Sequence, residues 1–246
     1  MLAVIGGSGF AQFAGLEAIR RADVATPYGA PSAALTFGTI RGRDAMFLAR
    51  HGDGHTIPPH EVNYRANLWA LREAGADRVV AVAAVGGVRA DLGPGVLLVP
   101  HQIIDYTWGR RSTYFEGAGA TVTHVDFTHP YSEPLRQRIL AAGRDAGEPM
   151  VDGGVYAATQ GPRLETAAEI DRLERDGADV VGMTGMPEAA LARELGLEYA
   201  AIAVVVNHAA GRGDSKGGVS MERIEAMLQA TVARARRVIE ALTAAA

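Results

Sequence analysis

The stretch YAAIAVVVN, Tyr199–Asn207, decides the fold. Its apolar run ends in five residues, Ile202–Val206, with no polar position to face solvent. That is the pattern of a strand buried on both faces, as in a sheet covered by helices on each side. The run stops at Asn207, whose side-chain amide both donates and accepts hydrogen bonds. A residue of that kind at a strand end marks a place where a ligand with both functions can be read.

The same pattern recurs outward along the chain. LAVIGG from Leu2, RVVAVAAVGG from Arg78, VLLVPHQII from Val96 and DVVGMTG from Asp179 are further apolar runs punctuated by glycine or proline and read as strands. Helical patterns lie between them. In EVNYRANLWALREAG, Val62, Ala66 and Trp69 fall four and three residues apart before Gly75 ends the run. MPEAALARELG carries Pro187 at a first helical position and Gly196 just beyond the end. A long closing helix is predicted from a Ser220 cap through Met221, Ile224, Leu228, Val232, Ile239 and Leu242. GTIRGRDAMFLAR, Gly38–Arg50, reads instead as a hairpin turning near Gly42, which makes the sheet mixed. With no repeat or interdomain linker, the expectation is one α/β domain spanning residues 1–246.

Bulk properties exclude several classes of function. The chain has 246 residues, of which 48% are hydrophobic and 21% charged, the balance of a folded globular protein. A net charge of −4 supplies no broad basic field for nucleic acid or an anionic membrane, so any anion must bind at a local site. The absence of cysteine excludes disulfides, thiolate metal sites and a thiol nucleophile, and fits a cytoplasmic location. MLAVIGGSGF lacks a basic flank and a long enough apolar run to read as a signal peptide, and no stretch reaches about 18 apolar residues.

Four segments carry the polar groups of a site. IGGSGF is a glycine-rich turn after a strand, where main-chain N–H groups and the Ser8 hydroxyl can approach an anion; a plain tight turn explains it equally well, and it is not a complete dinucleotide fingerprint. In ARHGDGHTIPPHEVNYRAN, Arg50 suits an anionic oxygen, while the spacing of His51, His55 and His60 matches no zinc motif, so no metal is expected. ATQGPRLETAAEI places Glu165 near a helix start, and GMTGMPEAA places Met183 and Thr184 before another. Each segment by itself is also explained as a loop, a helix cap or core packing.

Together they resemble the family of trimeric purine nucleoside phosphorylases and methylthioadenosine phosphorylases. The resemblance runs from IGGSGF to the closing helix and rests on RHG…PPHEVNYRAN, QGPRLET and GMTGMPEAALARELGL, in that order. It implies a mixed, partly barrel-like sheet flanked by helices, a homotrimer or hexamer with sites at subunit interfaces, and cleavage of a purine nucleoside by inorganic phosphate without a cofactor. It also implies that phosphate sits against Ser8, Arg50, His51, the main chain near Ala83 and Ala84, and Thr184. Ala83 stands where related enzymes often carry Thr or Asn, which would remove one side-chain contact to phosphate. Met183 and Leu164 would lie along the sugar and base, Asn207, His208 and Ala209 at the base, and His124 would reach a neighbouring subunit's site.

Two positions bear on the substrate. Members that act on adenine carry an Asp at the position of Asn207 and a small hydroxyl residue at that of Glu165. Glu165 can accept from the N1–H of a 6-oxopurine while Asn207 donates to O6 and accepts from N7–H, whereas adenine presents the inverted pattern. A mispaired buried edge can discriminate by about 10⁴-fold. Members that act on inosine or guanosine usually carry His at the position of Met221, to bond the 5′-hydroxyl. A thioether beside Ile224 offers an apolar pocket for a 5′-methylthio group instead, although helix packing alone would also explain it. The expected substrate is a 6-oxopurine nucleoside with a 5′-methylthio sugar, with adenine-directed and inosine or guanosine activities as alternatives. GRGDSKGG, Gly211–Gly218, is expected as a flap over the base.

Overall fold

A computed structural model describes residues 1–10, 13, 15–117 and 119–244. Among these, eleven strands form one mixed sheet. They are β1 (Leu2–Gly6), β2 (Glu17–Ala22), β3 (Leu35–Ile40), β4 (Arg43–Ala49), β5 (Arg78–Gly87), β6 (Leu97–Val99), β7 (Gln102–Asp105), β8 (Met150–Asp152), β9 (Val155–Ala158), β10 (Val180–Gly182) and β11 (Glu198–His208). The helices are α1 (Tyr64–Glu73), α2 (Glu133–Asp145), α3 (Ala167–Arg175), α4 (Gly185–Glu194) and α5 (Met221–Ala244).

The alternation along β5 and β11 builds the core. Val79, Ala81, Ala83 and Val85 of β5 join Tyr199, Ala201, Ala203 and Val205 of β11 on one face, packed with Leu68 and Leu71 of α1 and Ala189 and Leu191 of α4. The intervening Val80 and Val82, with Ala200, Ile202 and Val204, form the other face beneath Leu135 and Ile139 of α2 and Val238, Ile239 and Leu242 of α5. Both faces are therefore dry, which is why these strands lack polar alternation. The expected hairpin is β3–β4, whose turn residues Arg41 and Gly42 both have positive φ, 52° and 74°, as a two-residue primed turn requires. Helix α4 has non-helical backbone at Met186, so regular helix begins at Pro187, and Gly196 follows its C-cap with φ 67°. Ser220 Oγ accepts from the main-chain N–H of Arg223 at the start of α5.

One expectation changes. The run from Val96 is not one strand but two, β6 and β7, which pair in different parts of the sheet, with Pro100 between them. Helix α3 begins at Ala167, where Thr166 and Glu169 form a capping box, and Glu165 stands immediately before that cap, near the helix start as expected. The sheet is mixed and flanked by helices, as expected, and it is open: its path runs β2-β3-β4-β1-β5-β10-β9-β7, with β11, β6 and β8 branching from β5.

That branching makes a slot. β11 pairs along the whole of β5, so β1, at Arg78–Ala81, and β10, at Gly86–Gly87, must share the opposite edge. Between them Val82–Val85 have no strand partner on that edge among the described residues. Main-chain groups left over in this way must be satisfied by something other than a ladder.

Candidate active site

The slot opens into a cavity of about 600 Å³. It is lined by the chain segments that leave β1, β4 and β10 and by the end of β11, the strand-end arrangement expected of an α/β ligand site. Ser8, Arg50, His51, Ala83, Ala84, Leu164, Glu165, Met183, Thr184, Asn207, Ala209 and Met221 all line it. His124 and His208 do not. His124 lies in an exposed, irregular segment, and the His208 ring packs against Gly93, Gly213 and Asp214 instead.

At the slot itself, Arg50 is 1% exposed and donates from Nη1 to the Val82 carbonyl at 3.0 Å, which satisfies one unpaired group on the β5 edge. Its Nε and Nη2 donate to the two carboxylate oxygens of Glu188 at 2.6 and 2.8 Å. Glu188 is fully buried and also accepts from the Tyr199 hydroxyl at 2.8 Å. Burial disfavours the Arg50 charge, but the ion pair and its hydrogen bonds more than offset this and raise the guanidinium pKa. The pair leaves one N–H on each of Nη1 and Nη2 free of these bonds. Gly7 packs so closely here that a Cβ would sit 2.7 Å from the Val82 oxygen and 2.9 Å from Arg50 Nη1, so a side chain at this position would close the slot.

His51 is held by a 2.8 Å bond between Nδ1 and the Ile57 carbonyl. A carbonyl only accepts, so Nδ1 carries the proton and Nε2 is left as an acceptor. Burial first, and the neighbouring Arg50 charge second, lower the His51 pKa to about 4, so the ring is neutral at pH 7. His55 also lines the cavity. It has φ 54°, places Nε2 3.4 Å from Ser8 Oγ and has its ring centroid 4.6 Å from that of His51. Burial lowers its pKa too. Thr184 is the N-cap residue of α4 but makes no side-chain cap bond, which leaves its hydroxyl available to the cavity it lines.

Elsewhere in the cavity, Glu165 is oriented by the Thr159 hydroxyl, which donates to Oε1 at 2.6 Å. The other carboxylate oxygen can accept from a ligand. Asn207 owes its position to a register shift between Val205 and Asn207, a bulge at Val206 opposite β5. The bulge lets the consecutive residues Val206 and Asn207 both line the cavity, which regular alternation would forbid. The Asn207 amide nitrogen donates to the His208 carbonyl at 2.6 Å, which fixes the amide's orientation and leaves one N–H and the side-chain oxygen for a ligand. Val219, Met221, Ile224 and Leu228 give the α5 side an apolar lining, with Met221 64% exposed in the single chain.

The Gly211–Gly218 segment is not a flap over this cavity. Gly213–Ser215 form a 3₁₀ turn packed against the His208 ring, and His208 Nδ1 lies 2.6 Å from Asp214 Oδ1. The loop lines a separate cavity of about 320 Å³ on the other side of Asn207. Gly213 serves this tight packing: a Cβ there would fall 2.5 Å from the imidazole. Among the described residues no cluster of three or more His, Asp or Glu could hold a metal ion.

Glu188 was not singled out from the sequence, although it lies within the GMTGMPEAALARELGL segment. Its partner Arg50 is 138 residues away, and a first-turn glutamate normally needs no partner beyond the helix itself.

Comparison with known proteins gives a consistent picture. The chain is 58% identical over 215 residues to a probable S-methyl-5′-thioinosine phosphorylase of Xanthomonas campestris pv. campestris, covering 87% of this chain and 86% of that protein. It is 46% identical over 220 residues to the 6-oxopurine nucleoside phosphorylase of Pyrococcus furiosus, covering 87% and 82%. Methylthioadenosine phosphorylase from Schistosoma mansoni, solved in complex with adenine, superposes with a TM-score of 0.94 at 33% identity, over 99% of this chain and 91% of that one. The model of the phosphorylase superfamily matches residues 1–244, and the chain belongs to that superfamily.

Proposed function

We propose that this protein cleaves the N-glycosidic bond of S-methyl-5′-thioinosine with inorganic phosphate, giving hypoxanthine and 5-methylthioribose 1-phosphate. The observation that carries the reading is the presence of Glu165, Asn207 and Met221 in one cavity. Glu165 supplies an acceptor and Asn207 a donor and an acceptor, which together complement a 6-oxopurine edge, while Met221, Ile224 and Leu228 suit an apolar 5′ substituent. Relatives at 58% and 56% identity named as probable S-methyl-5′-thioinosine phosphorylases, from Xanthomonas campestris and Pseudomonas syringae pv. tomato, support the same substrate.

In this reading phosphate occupies the slot, bonded by Ser8, Thr184, the two remaining Arg50 N–H groups and the free main-chain edge at Ala83 and Ala84. Neutral His51 accepts a hydrogen bond at Nε2 from the P–OH of a monohydrogen phosphate and so orients it. A phosphate oxygen attacks C1′ as the C1′–N9 bond breaks through an oxocarbenium-like state, which the bound anion stabilises. The bonding electrons pass into the purine, where Asn207 stabilises charge growing at O6 and accepts from N7 once the leaving base takes a proton there from solvent, the balance being kept by the proton that the new sugar phosphate releases. Phosphate is a co-substrate, and the reaction calls for no metal or other cofactor. Met183 and Leu164 line the sugar and base, with Ala209 beside the base. The active species is a homotrimer in the cytoplasm, where the exposed Met221 end of the cavity is completed by a neighbouring subunit that contributes His124. Among the described residues no helix is long and apolar enough to cross a membrane, and the net charge of −4 gives no overall basic field for nucleic acid.

Base release from methylthioinosine, methylthioadenosine and inosine, each with and without phosphate, tests the proposal. Phosphate-dependent release of hypoxanthine chiefly from methylthioinosine is expected. Preference for methylthioadenosine would overturn the Glu165 and Asn207 reading, preference for inosine the Met221 reading, and turnover without phosphate the reaction type.

A further inference from the structure

Arg110 does not line the cavity, yet it binds two of the walls that do. Its Nη1 donates to the Met183 and Met186 carbonyls at 2.8 and 2.6 Å and lies 3.3 Å from the Tyr64 hydroxyl. Its Nη2 donates to the carbonyls of Gln160 and Thr159 at 2.8 and 3.3 Å. Its Nε donates to the Gln160 side-chain oxygen at 3.3 Å, and that oxygen also accepts from the Trp108 main-chain N–H at 3.1 Å. All six partners of the guanidinium are neutral, and four are main-chain carbonyls. A charged group half-buried among carbonyls is held by dipoles converging on it, and its planar donor fork fixes their relative directions as a point charge cannot.

The two walls are the ones with different duties in the site. Thr159 and Gln160 precede Glu165, and Thr159 itself orients the Glu165 carboxylate. Met183 and Met186 flank Thr184, the slot residue whose hydroxyl is left free of helix capping. The walls leave the paired strands β9 and β10, and Thr159 N–H donates to the Gly182 carbonyl at 2.8 Å where that ladder ends; beyond it Arg110 ties Thr159 and Gln160 to Met183 and Met186.

We propose that Arg110 is a positioning residue that locks the base-reading wall and the phosphate-reading wall into one register, so that the leaving purine and the attacking phosphate are aligned together. The inference rests on the purine and phosphate reading of the cavity. Its consequence is that loss of Arg110 weakens both ligands at once although it touches neither, and slows turnover more than it weakens binding. Misplacement of reacting groups by about 1 Å costs on the order of 100-fold in rate.

The experiment compares the wild type with Arg110→Ala and Arg110→Lys, measuring phosphorolysis rates and calorimetric binding of hypoxanthine and of phosphate. For Arg110→Ala we expect kcat/KM to fall about 100-fold, kcat to fall more than either KM rises, and both ligands to bind more weakly. Guanidinium at millimolar concentration should restore at least tenfold of the lost rate, and tetramethylammonium at equal ionic strength should not. Arg110→Lys keeps the charge but not the fork, and should remain at least tenfold slower than wild type; this holds the test open should the alanine variant fail to fold. Wild-type kinetics per folded molecule in either variant, loss of affinity for one ligand only, or activity that guanidinium does not restore in a folded Arg110→Ala would overturn the proposal. A wild type that releases no base and binds neither ligand would instead defeat the reading of the cavity, and this inference with it.

Discussion

Replacing Glu188 with glutamine keeps the shape of the side chain and removes the charge that Arg50 was buried against. Arg50 and Glu188 are 1% and 0% exposed, and the carboxylate accepts two bonds from Arg50 and one from Tyr199. Removing one partner of such a pair costs about 3–5 kcal/mol, because the remaining ion is left uncompensated in a dry site. For a chain of this size that corresponds to a fall in Tm of roughly 6 to 20 °C in phosphate-free buffer. If the slot binds phosphate as proposed, the anion then takes over the role of the lost carboxylate. In the wild type Arg50 is already neutralised and His51 is uncharged at pH 7, so the slot carries little net charge before phosphate enters. In Glu188→Gln phosphate becomes the counter-ion of Arg50, and each tenfold gain in affinity adds about 1.4 kcal/mol of ligand-dependent stability at saturating phosphate. Thermal melts of both proteins over a phosphate titration should show the variant starting lower and rising further. A phosphate-induced rise in the variant no larger than in the wild type would refute the argument that Glu188 offsets the charge available to the anion.

Two further outcomes are expected. Asn207→Ala should lower phosphorolysis turnover by about 100-fold, the usual cost of removing a donor aimed at transition-state charge, and steady-state rates that leave kcat unchanged would remove Asn207 from the chemistry. His51 should make stability depend on acid: an unfolded histidine takes up its proton near pH 6.5, whereas the folded ring holds off until about pH 4. The unfolded chain therefore binds more protons in between, and this residue's contribution, present above about pH 6.5, is lost as the pH falls through that window, by about 2 kcal/mol from pH 7 to pH 5. Urea unfolding at both pH values should show a correspondingly smaller acid loss in His51→Gln, and an equal loss in both proteins would contradict it.

The features legible in the sequence are those whose cause is local. The β3–β4 turn followed from Gly42, the start and end of α4 from Pro187 and Gly196, and the start of α5 from Ser220, because a primed turn, a proline at the first helical position or a serine cap acts within a few residues. The dry strands β5 and β11 were equally plain, since burial on both faces leaves no polar alternation to read. Strand β2, by contrast, is EAIRRA, largely exposed, with nothing in its pattern to mark it. It exists because β3 offers it an edge. Strands β6 and β7 look like one run because their separation is decided by different partners, β11 and β8 for the first and β9 for the second.

The site divides in the same way. By itself the sequence determined which residue types stand at strand ends: Ser8, Arg50, His51, Thr184 and Asn207 each follow an apolar run, and strand ends are where such sheets bind ligands. Only the tertiary structure decided how they are used. It set Arg50 against Glu188 across 138 residues, opened a slot where β1 and β10 share one edge of β5, and tied two walls to Arg110 across separations of 49 to 76 residues. It also turned Asn207 into the cavity and His208 out of it through one bulge. Caps, turns and apolar runs are written in neighbouring residues, whereas a buried charge acquires its partner, and a strand end its direction, only when distant segments have packed.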